Sequence, residues 1–149
     1  MKIRGSDLIV QTLKTEGVDT VFAIAGDHTL PLMDAMADNG FRFIDSRHEQ
    51  GAVDMANGWT RVTGKASVSM FTTPGHANAI PGLTLASHME APIVNITGSA
   101  DQSELGKGAP QEIDQVGMAR PVTKGSWLVY DPRLIPRFIK RAFRTAYSY

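Results

Sequence analysis

Hydrophobic residues along this chain follow two alternating patterns. Short uninterrupted apolar runs are typical of buried strands, and they predict strands at 21–24, 41–44, 67–71 and 92–97, with a candidate fifth strand at 123–129. Between them, apolar side chains three and four positions apart predict helices. These helices begin near Ser6, which is a suitable N-cap, and near residues 30, 49, 78 and 134. Gly64 is expected to end the helix that begins at Glu49.

The alternation of strands and helices defines the fold class. Apolar strands that alternate with helices are typical of a parallel sheet covered on both faces. A chain of 149 residues buries about 70% of its unfolded surface when it forms one domain. The sequence therefore predicts one α/β domain over 1–149, a doubly wound, mostly parallel sheet with helices on both faces.

Composition and charge exclude several functions. The 15 basic and 15 acidic side chains balance, so the chain as a whole has no attraction for nucleic acid or acidic membranes. With no cysteine there is no disulfide and no thiolate metal site.

The stretch 66–100 carries Glu90 as its single formal charge, but Pro74 and Pro81 interrupt it, which indicates a buried layer and not a membrane span. No apolar leader follows Met1, so the expected location is cytoplasmic.

Polar residues cluster directly after the four predicted strands. They lie at 25–28, 45–49, 72–76 and 98–101, and they include His28, His48, His76 and Glu49. Ligands of such folds bind at the carboxyl ends of the strands. Neither the dinucleotide fingerprint nor the phosphate-loop motif occurs, so we expect no standard phosphate cradle in this chain. The histidines lack the spacing of a shared metal site, so no metal ligands are predicted.

Two neighbouring segments carry a longer signature. Residues 47–52 read R-H-E-Q-G-A and residues 55–65 read M-A-N-G-W-T-R-V-T-G-K. They resemble the R-H-E-x-x-A…A-x-G-[YW]-x-R-x-[TS]-G segment of thiamine-diphosphate-dependent enzymes. More narrowly, the chain resembles the aminopyrimidine-binding (PYR) domain of the acetolactate synthase and benzaldehyde lyase group. Further similar segments follow the family's order and spacing at 21–26, 74–78, 92–98, 111–116 and 121–124.

The resemblance implies roles for three catalytic residues. Glu49 matches the glutamate that hydrogen-bonds ring nitrogen N1′ of the cofactor and favours its imino tautomer; by itself it is equally an acidic residue that stabilises a helix N-terminus. His28 resembles a benzaldehyde lyase histidine that faces the substrate, and the alternative is a turn histidine that caps the next helix. Gln111 matches a glutamine that reaches the active site, and the alternative is a polar loop residue.

The resemblance also implies a cofactor pocket formed by Gly26, Thr73, Pro74, Gly75 and Asn78. Two departures from the family pattern stand out: Thr73 replaces the usual glycine before Pro-Gly, and His76 is unexpected.

Enzymes of this family have two further domains, a middle domain and a pyrophosphate-binding domain, which we expect to be absent from 1–149. The implied cofactors are thiamine diphosphate and Mg²⁺, the latter anchored with the diphosphate by the absent domain of the same enzyme or of a partner subunit. A 2-oxo acid or aldehyde substrate, a homo-oligomer and an inactive isolated chain are further expectations. The alternative function is a non-catalytic assembly or regulatory module that retains the fold.

Overall fold

The computed structural model of the chain describes residues 3–148. Its four strands form one parallel sheet in the order β2-β1-β3-β4. They are β1 (Thr20–Ala23), β2 (Arg42–Asp45), β3 (Ser67–Phe71) and β4 (Ile93–Thr97). The two central strands, β1 and β3, are buried along their whole length, because helices cover both faces of the sheet.

Six helices connect and follow the strands. They are α1 (Gly5–Thr15), α2 (Leu30–Asp38), α3 (Glu49–Thr63), α4 (Thr73–His88), α5 (Gln115–Ala119) and α6 (Ile135–Tyr147). Single 3-10 turns occur at Asp27–Thr29, Arg120–Val122 and Pro132–Leu134. Gly64 ends α3 in the left-handed conformation, φ 69°, as the pattern predicts.

Two apolar cores lie on opposite faces of the sheet. Leu13 of α1, Met36 of α2 and Phe143 of α6 pack against one face. Helices α3 and α4 cover the other face, where Val53 and Phe71 belong to the same buried cluster. Full burial of such side chains stabilises the fold by about 2 kcal/mol each. The predicted doubly wound α/β architecture is confirmed.

Two predicted helix starts are wrong. The first helix begins at Gly5 rather than after a Ser6 cap; the Asp7 carboxylate instead accepts a hydrogen bond from the Arg4 backbone N–H at 3.2 Å. Helix α4 begins at Thr73 rather than near Asn78, because Pro74 is accommodated in the first helical turn, where its missing N–H has no intrahelical partner to lose.

The predicted fifth strand does not form. Residues 123–129 have no regular secondary structure, and an apolar groove of about 390 Å³ is lined by residues of this segment and of β4. A strand needs backbone hydrogen bonds to a neighbour, and within 3–148 this segment makes none to the sheet, whose order ends at β4. Trp127 is covered instead by the Arg141 guanidinium, 4.5 Å above its ring.

No helix within residues 3–148 is both long enough and apolar enough to cross a bilayer.

Candidate functional site

The first turn of α4 is the centre of the candidate site. It follows the carboxyl end of β3, the edge at which ligands of parallel α/β folds bind. Thr73 in this turn contacts His28, and Gly75 contacts Glu49. Two groups of residues therefore meet here. We call Glu49, Gly75 and Asn78 the carboxylate group, and His28, Thr72, Thr73 and Gln111 the histidine group.

Glu49 is held in place from two helices. It is the first residue of α3, whose N-cap His48 accepts a hydrogen bond at Nδ1 from the Gln50 backbone N–H at 3.3 Å. From α4, Asn78 donates Nδ2–H to Glu49 Oε2 at 3.1 Å. Since one carboxylate oxygen is bound by a side chain of the neighbouring helix, the direction of the half-buried carboxylate is set.

Gly82 brings these two helices into close contact. A Cβ atom added at Gly82 would lie only 2.9 Å from Cβ of Val53. The small residue therefore lets α3 and α4 approach closely enough for Asn78 to reach Glu49.

The second oxygen of Glu49 faces Gly75. A Cβ at Gly75 would lie 2.9 Å from Glu49 Oε1 and 3.1 Å from Cβ of Phe71, so glycine leaves this approach open. No donor among residues 3–148 is hydrogen-bonded to Oε1. In the carboxylate group, one oxygen of Glu49 thus accepts a hydrogen bond from Asn78, and the other has no hydrogen-bond donor among the described residues.

His28 lies in the 3-10 turn after β1. Its Nδ1 atom is 3.4 Å from Thr72 Oγ1 and 3.3 Å from Thr73 Oγ1. The side chain packs on Gly98, where a Cβ would overlap His28, and Gly26 likewise leaves room for the Thr72 methyl group. Two glycines at strand ends therefore allow the histidine group to assemble.

Gln111 joins the histidine group from the long loop after β4. Thr72 donates Oγ1–H to Gln111 Oε1 at 3.1 Å. The backbone of Gln111 has φ 63°, a left-handed conformation that costs a residue with a side chain on the order of 1–3 kcal/mol and that clusters at functional sites.

A buried polar network lies behind the histidine group. His76 Nε2 is 3.1 Å from the Gln115 carbonyl oxygen, and Asn95 Nδ2 is 3.0 Å from His76 Nδ1. Ser69 in turn donates to Asn95 Oδ1 at 2.8 Å. Burial lowers the pKa of His76, with the hydrogen bond to the Gln115 carbonyl acting in the opposite direction. His76 is therefore held as a neutral imidazole at neutral pH.

The three histidines expected at one edge have different surroundings. His28 belongs to the candidate site, His48 caps α3, and His76 is buried. Pro74 is exposed between the two groups and forms part of the first turn of α4.

Three residues were not singled out from the sequence: Thr72, which belongs to the histidine group, and Gly98 and Gln115, which contact it. Thr72 and Gly98 could have been identified from the sequence by their positions directly after β3 and β4. Gln115 offered no such signal, because α5 was not predicted as a helix.

The part of the chain that the structure describes contains no group of three His, Asp or Glu side chains arranged to hold a metal ion.

The fold and the site together define a parallel α/β cofactor-binding domain with an oriented carboxylate at the carboxyl edge of its sheet. A family model described as "Thiamine pyrophosphate enzyme, N-terminal TPP binding domain" matches residues 3–118, and the chain belongs to this family.

Similar proteins extend well beyond this domain. The chain is 40% identical over 147 residues to the acetolactate synthase large subunit of Haemophilus influenzae, and 39% identical over 147 residues to the acetolactate synthase isozyme 2 large subunit of Escherichia coli. These alignments cover 97% and 98% of this chain but only 26% and 27% of the relatives.

A solved structure likewise matches almost all of this chain but only part of the other protein. The thiamine diphosphate-dependent 4-hydroxybenzoylformate decarboxylase of Rhodococcus jostii RHA1 superimposes with a TM-score of 0.91 at 29% identity, over 97% of this chain and 28% of that protein. The chain therefore corresponds to the thiamine-pyrophosphate-binding N-terminal domain of such enzymes and spans about a quarter of their length.

Proposed function

We propose that the carboxylate group binds the aminopyrimidine of thiamine diphosphate, and that Glu49 shares a proton with ring nitrogen N1′. The supporting observation is how the carboxylate is bound: Asn78 donates to Oε2, while Oε1 lies beside Gly75 and has no hydrogen-bond donor among residues 3–148. A carboxyl oxygen with no internal partner suits a ring nitrogen that must gain and lose a proton. When bound, the cofactor supplies a nucleophilic thiazolium carbon.

The donor set of this site fits the pyrimidine part of that cofactor. Glu49 holds a proton at the ring nitrogen, and the first turn of α4 around Thr73, Pro74 and Gly75 borders the pocket together with Gly26 and Asn78. We assign the diphosphate and Mg²⁺ to a pyrophosphate-binding domain of the same enzyme or of a partner subunit, as the resemblance implies. The assembly we propose is a cytoplasmic homo-oligomer.

The histidine group is the part of the site that we propose contacts the substrate. His28 polarises a carbonyl oxygen or relays a proton, and Gln111 offers its amide N–H because its Oε1 already accepts from Thr72. The proposed reaction is that of an acetolactate synthase-like lyase or transferase acting on a 2-oxo acid or an aldehyde. The sequence identity of 40% and 39% with two acetolactate synthase large subunits supports this class of reaction.

The test is to reconstitute the 149-residue chain with a separately produced pyrophosphate-binding domain, thiamine diphosphate and Mg²⁺, and to measure pyruvate consumption. We expect no turnover by the chain alone and turnover by the mixture. Glu49→Gln should abolish that turnover, because an amide cannot exchange a proton with the ring nitrogen. The matched control is Asp54→Asn, an exposed carboxylate on the same helix, which should leave the turnover unchanged.

Turnover that is indifferent to Glu49→Gln would contradict the role of Glu49. It would favour the alternative, an assembly or regulatory module that retains the fold.

A further inference from the structure

His76 occupies an unusual position for a titratable side chain. It lies in the first turn of α4 and is only 4% exposed, yet none of the proposed chemistry uses it. The carbonyl oxygen of Gln115 can only accept, so the proton of the imidazole must be on Nε2. Nδ1 then accepts from the Asn95 amide, and both ring nitrogens are satisfied in one neutral tautomer.

The partner of His76 is the first residue of a very short helix. Helix α5 has five residues, too few to be stable without tertiary contacts. Asp114 caps it by accepting the Gly117 backbone N–H at 2.8 Å, but that bond is internal to the segment. The His76 bond instead ties the start of α5 to α4.

Gln115 continues the connection toward the candidate site. Its Nε2 atom donates to the Gly98 carbonyl oxygen at 2.9 Å and reaches Thr73 Oγ1 at 3.5 Å. Thr73 in turn contacts Nδ1 of His28. A continuous series of polar contacts therefore runs from His76 through Gln115 and Thr73 to His28.

We infer that His76 is a positioning residue: it anchors α5 to the first turn of α4 and thereby holds Gln115 against Thr73, which orients His28. The consequence for catalysis rests on the proposed function, whereas the anchoring of α5 does not.

The first measurement uses the chain labelled with ¹⁵N-histidine and long-range ¹H–¹⁵N correlation spectra at neutral pH. We expect a neutral His76 ring with its proton on Nε2. A ring protonated on Nδ1, or on both nitrogens, would overturn the inference even if every variant failed to fold.

The second measurement is amide hydrogen exchange at Gly117 and Met118, whose backbone N–H groups bind Asp114. His76→Leu should accelerate exchange at these amides about fivefold, because one buried hydrogen bond contributes on the order of 1 kcal/mol, while amides of β3 should keep their protection. His76→Gln should restore slow exchange, since its amide can donate to the same carbonyl. His88→Leu, an exposed histidine at the end of the same helix, is the matched control.

The third measurement follows His28 directly. Both His76→Leu and Gln115→Ala should change the ¹⁵N shift of His28 Nδ1, and Gln115→Ala should leave the His76 tautomer unchanged. Unaltered exchange at 117–118 in His76→Leu, or an unaltered His28 signal in Gln115→Ala, would overturn the inference.

In the reconstituted enzyme, His76→Leu should lower kcat and His76→Gln should recover it. A wrong proposal for Glu49 would be seen only in the turnover measurements. A wrong inference for His76 would be seen in its tautomer, in the exchange of the α5 amides or in the His28 signal, so the two failures are distinguishable.

Discussion

Nδ2 of Asn78 lies 3.1 Å from Oε2 of Glu49, so an amide on α4 sets the direction of the carboxylate that begins α3. This single bond links the two helices that cover one face of the sheet, and it leaves Oε1 of Glu49 available to a ligand. The first prediction follows from it. Asn78→Ala should lower the turnover of the reconstituted enzyme about tenfold, since a hydrogen bond to a charged group contributes on the order of 1.5 kcal/mol.

Stability should fall by no more than about 1.5 kcal/mol in Asn78→Ala, because the side chain is exposed and water can replace its amide. Ser87→Ala, an exposed position on the same helix, is the control for both measurements. Full turnover in Asn78→Ala would show that Glu49 does not need this bond.

Gly75 gives the second prediction. In Gly75→Ala the new Cβ meets Glu49 Oε1 at 2.9 Å and Cβ of Phe71 at 3.1 Å. The carboxylate can avoid the new Cβ only by leaving the position that Asn78 sets, and the Phe71 Cβ atom is fixed in the core. We therefore expect lost turnover and a free energy of unfolding lower by about 1–3 kcal/mol. Urea denaturation measures the free energy of unfolding.

The matched substitution is Gly58→Ala on α3, where a Cβ meets nothing within 4 Å. It should instead stabilise the chain by about 0.5–1 kcal/mol, because alanine loses less backbone entropy in a helix. Equal effects of the two substitutions would contradict the steric argument.

The pH dependence of stability gives the third prediction. Burial lowers the pKa of His76 in the folded chain, so between that value and the unfolded value of about 6.5 the unfolded state binds more protons. The stabilisation is therefore complete above about pH 6.5 and is lost as the pH falls toward the folded pKa. From pH 7.5 to 5.5 the loss due to this one group is at most about 1.4 kcal/mol.

Urea denaturation at the two pH values, compared with His76→Gln, isolates this contribution. Glutamine does not titrate, so its stability should fall less than that of the wild type. Parallel losses in the two proteins would assign the pH dependence to other groups.

Tyr147 gives the fourth prediction. Its hydroxyl accepts the backbone N–H of Ala66 at 2.7 Å, which joins the end of α6 to the residue before β3. Tyr147→Phe leaves a part-buried N–H without this acceptor, so the free energy of unfolding should fall by about 1–3 kcal/mol. Tyr130→Phe should have no measurable effect in the same urea titration, because Tyr130 is similarly exposed but its hydroxyl makes no hydrogen bond within residues 3–148.

Much of the fold could be predicted from short-range pattern. The strand through Val21 and the one through Val68 are apolar runs because both faces of the sheet are covered, and that burial is visible in the residues themselves. Helix boundaries were less predictable. The expected start of α4 near residue 78 is too late, because the ring of Pro74 is compatible with the first turn of that helix. Residues 123–129 have the apolar character of a strand but are not hydrogen-bonded to the sheet; they lie with β4 along the apolar groove.

The sequence by itself determined the layered α/β fold, the family, and the position of Glu49 at the start of a helix after a strand, because these depend on local periodicity and on contiguous motifs. Only the tertiary structure decided which oxygen of Glu49 is bound, that His76 is buried while His28 lies at the site, and that Gln111 reaches Thr72. The physical reason is that these hydrogen bonds join residues far apart in the chain. Their geometry depends on how closely two helices pack and on where a loop returns, and neither leaves a periodic signal in the sequence.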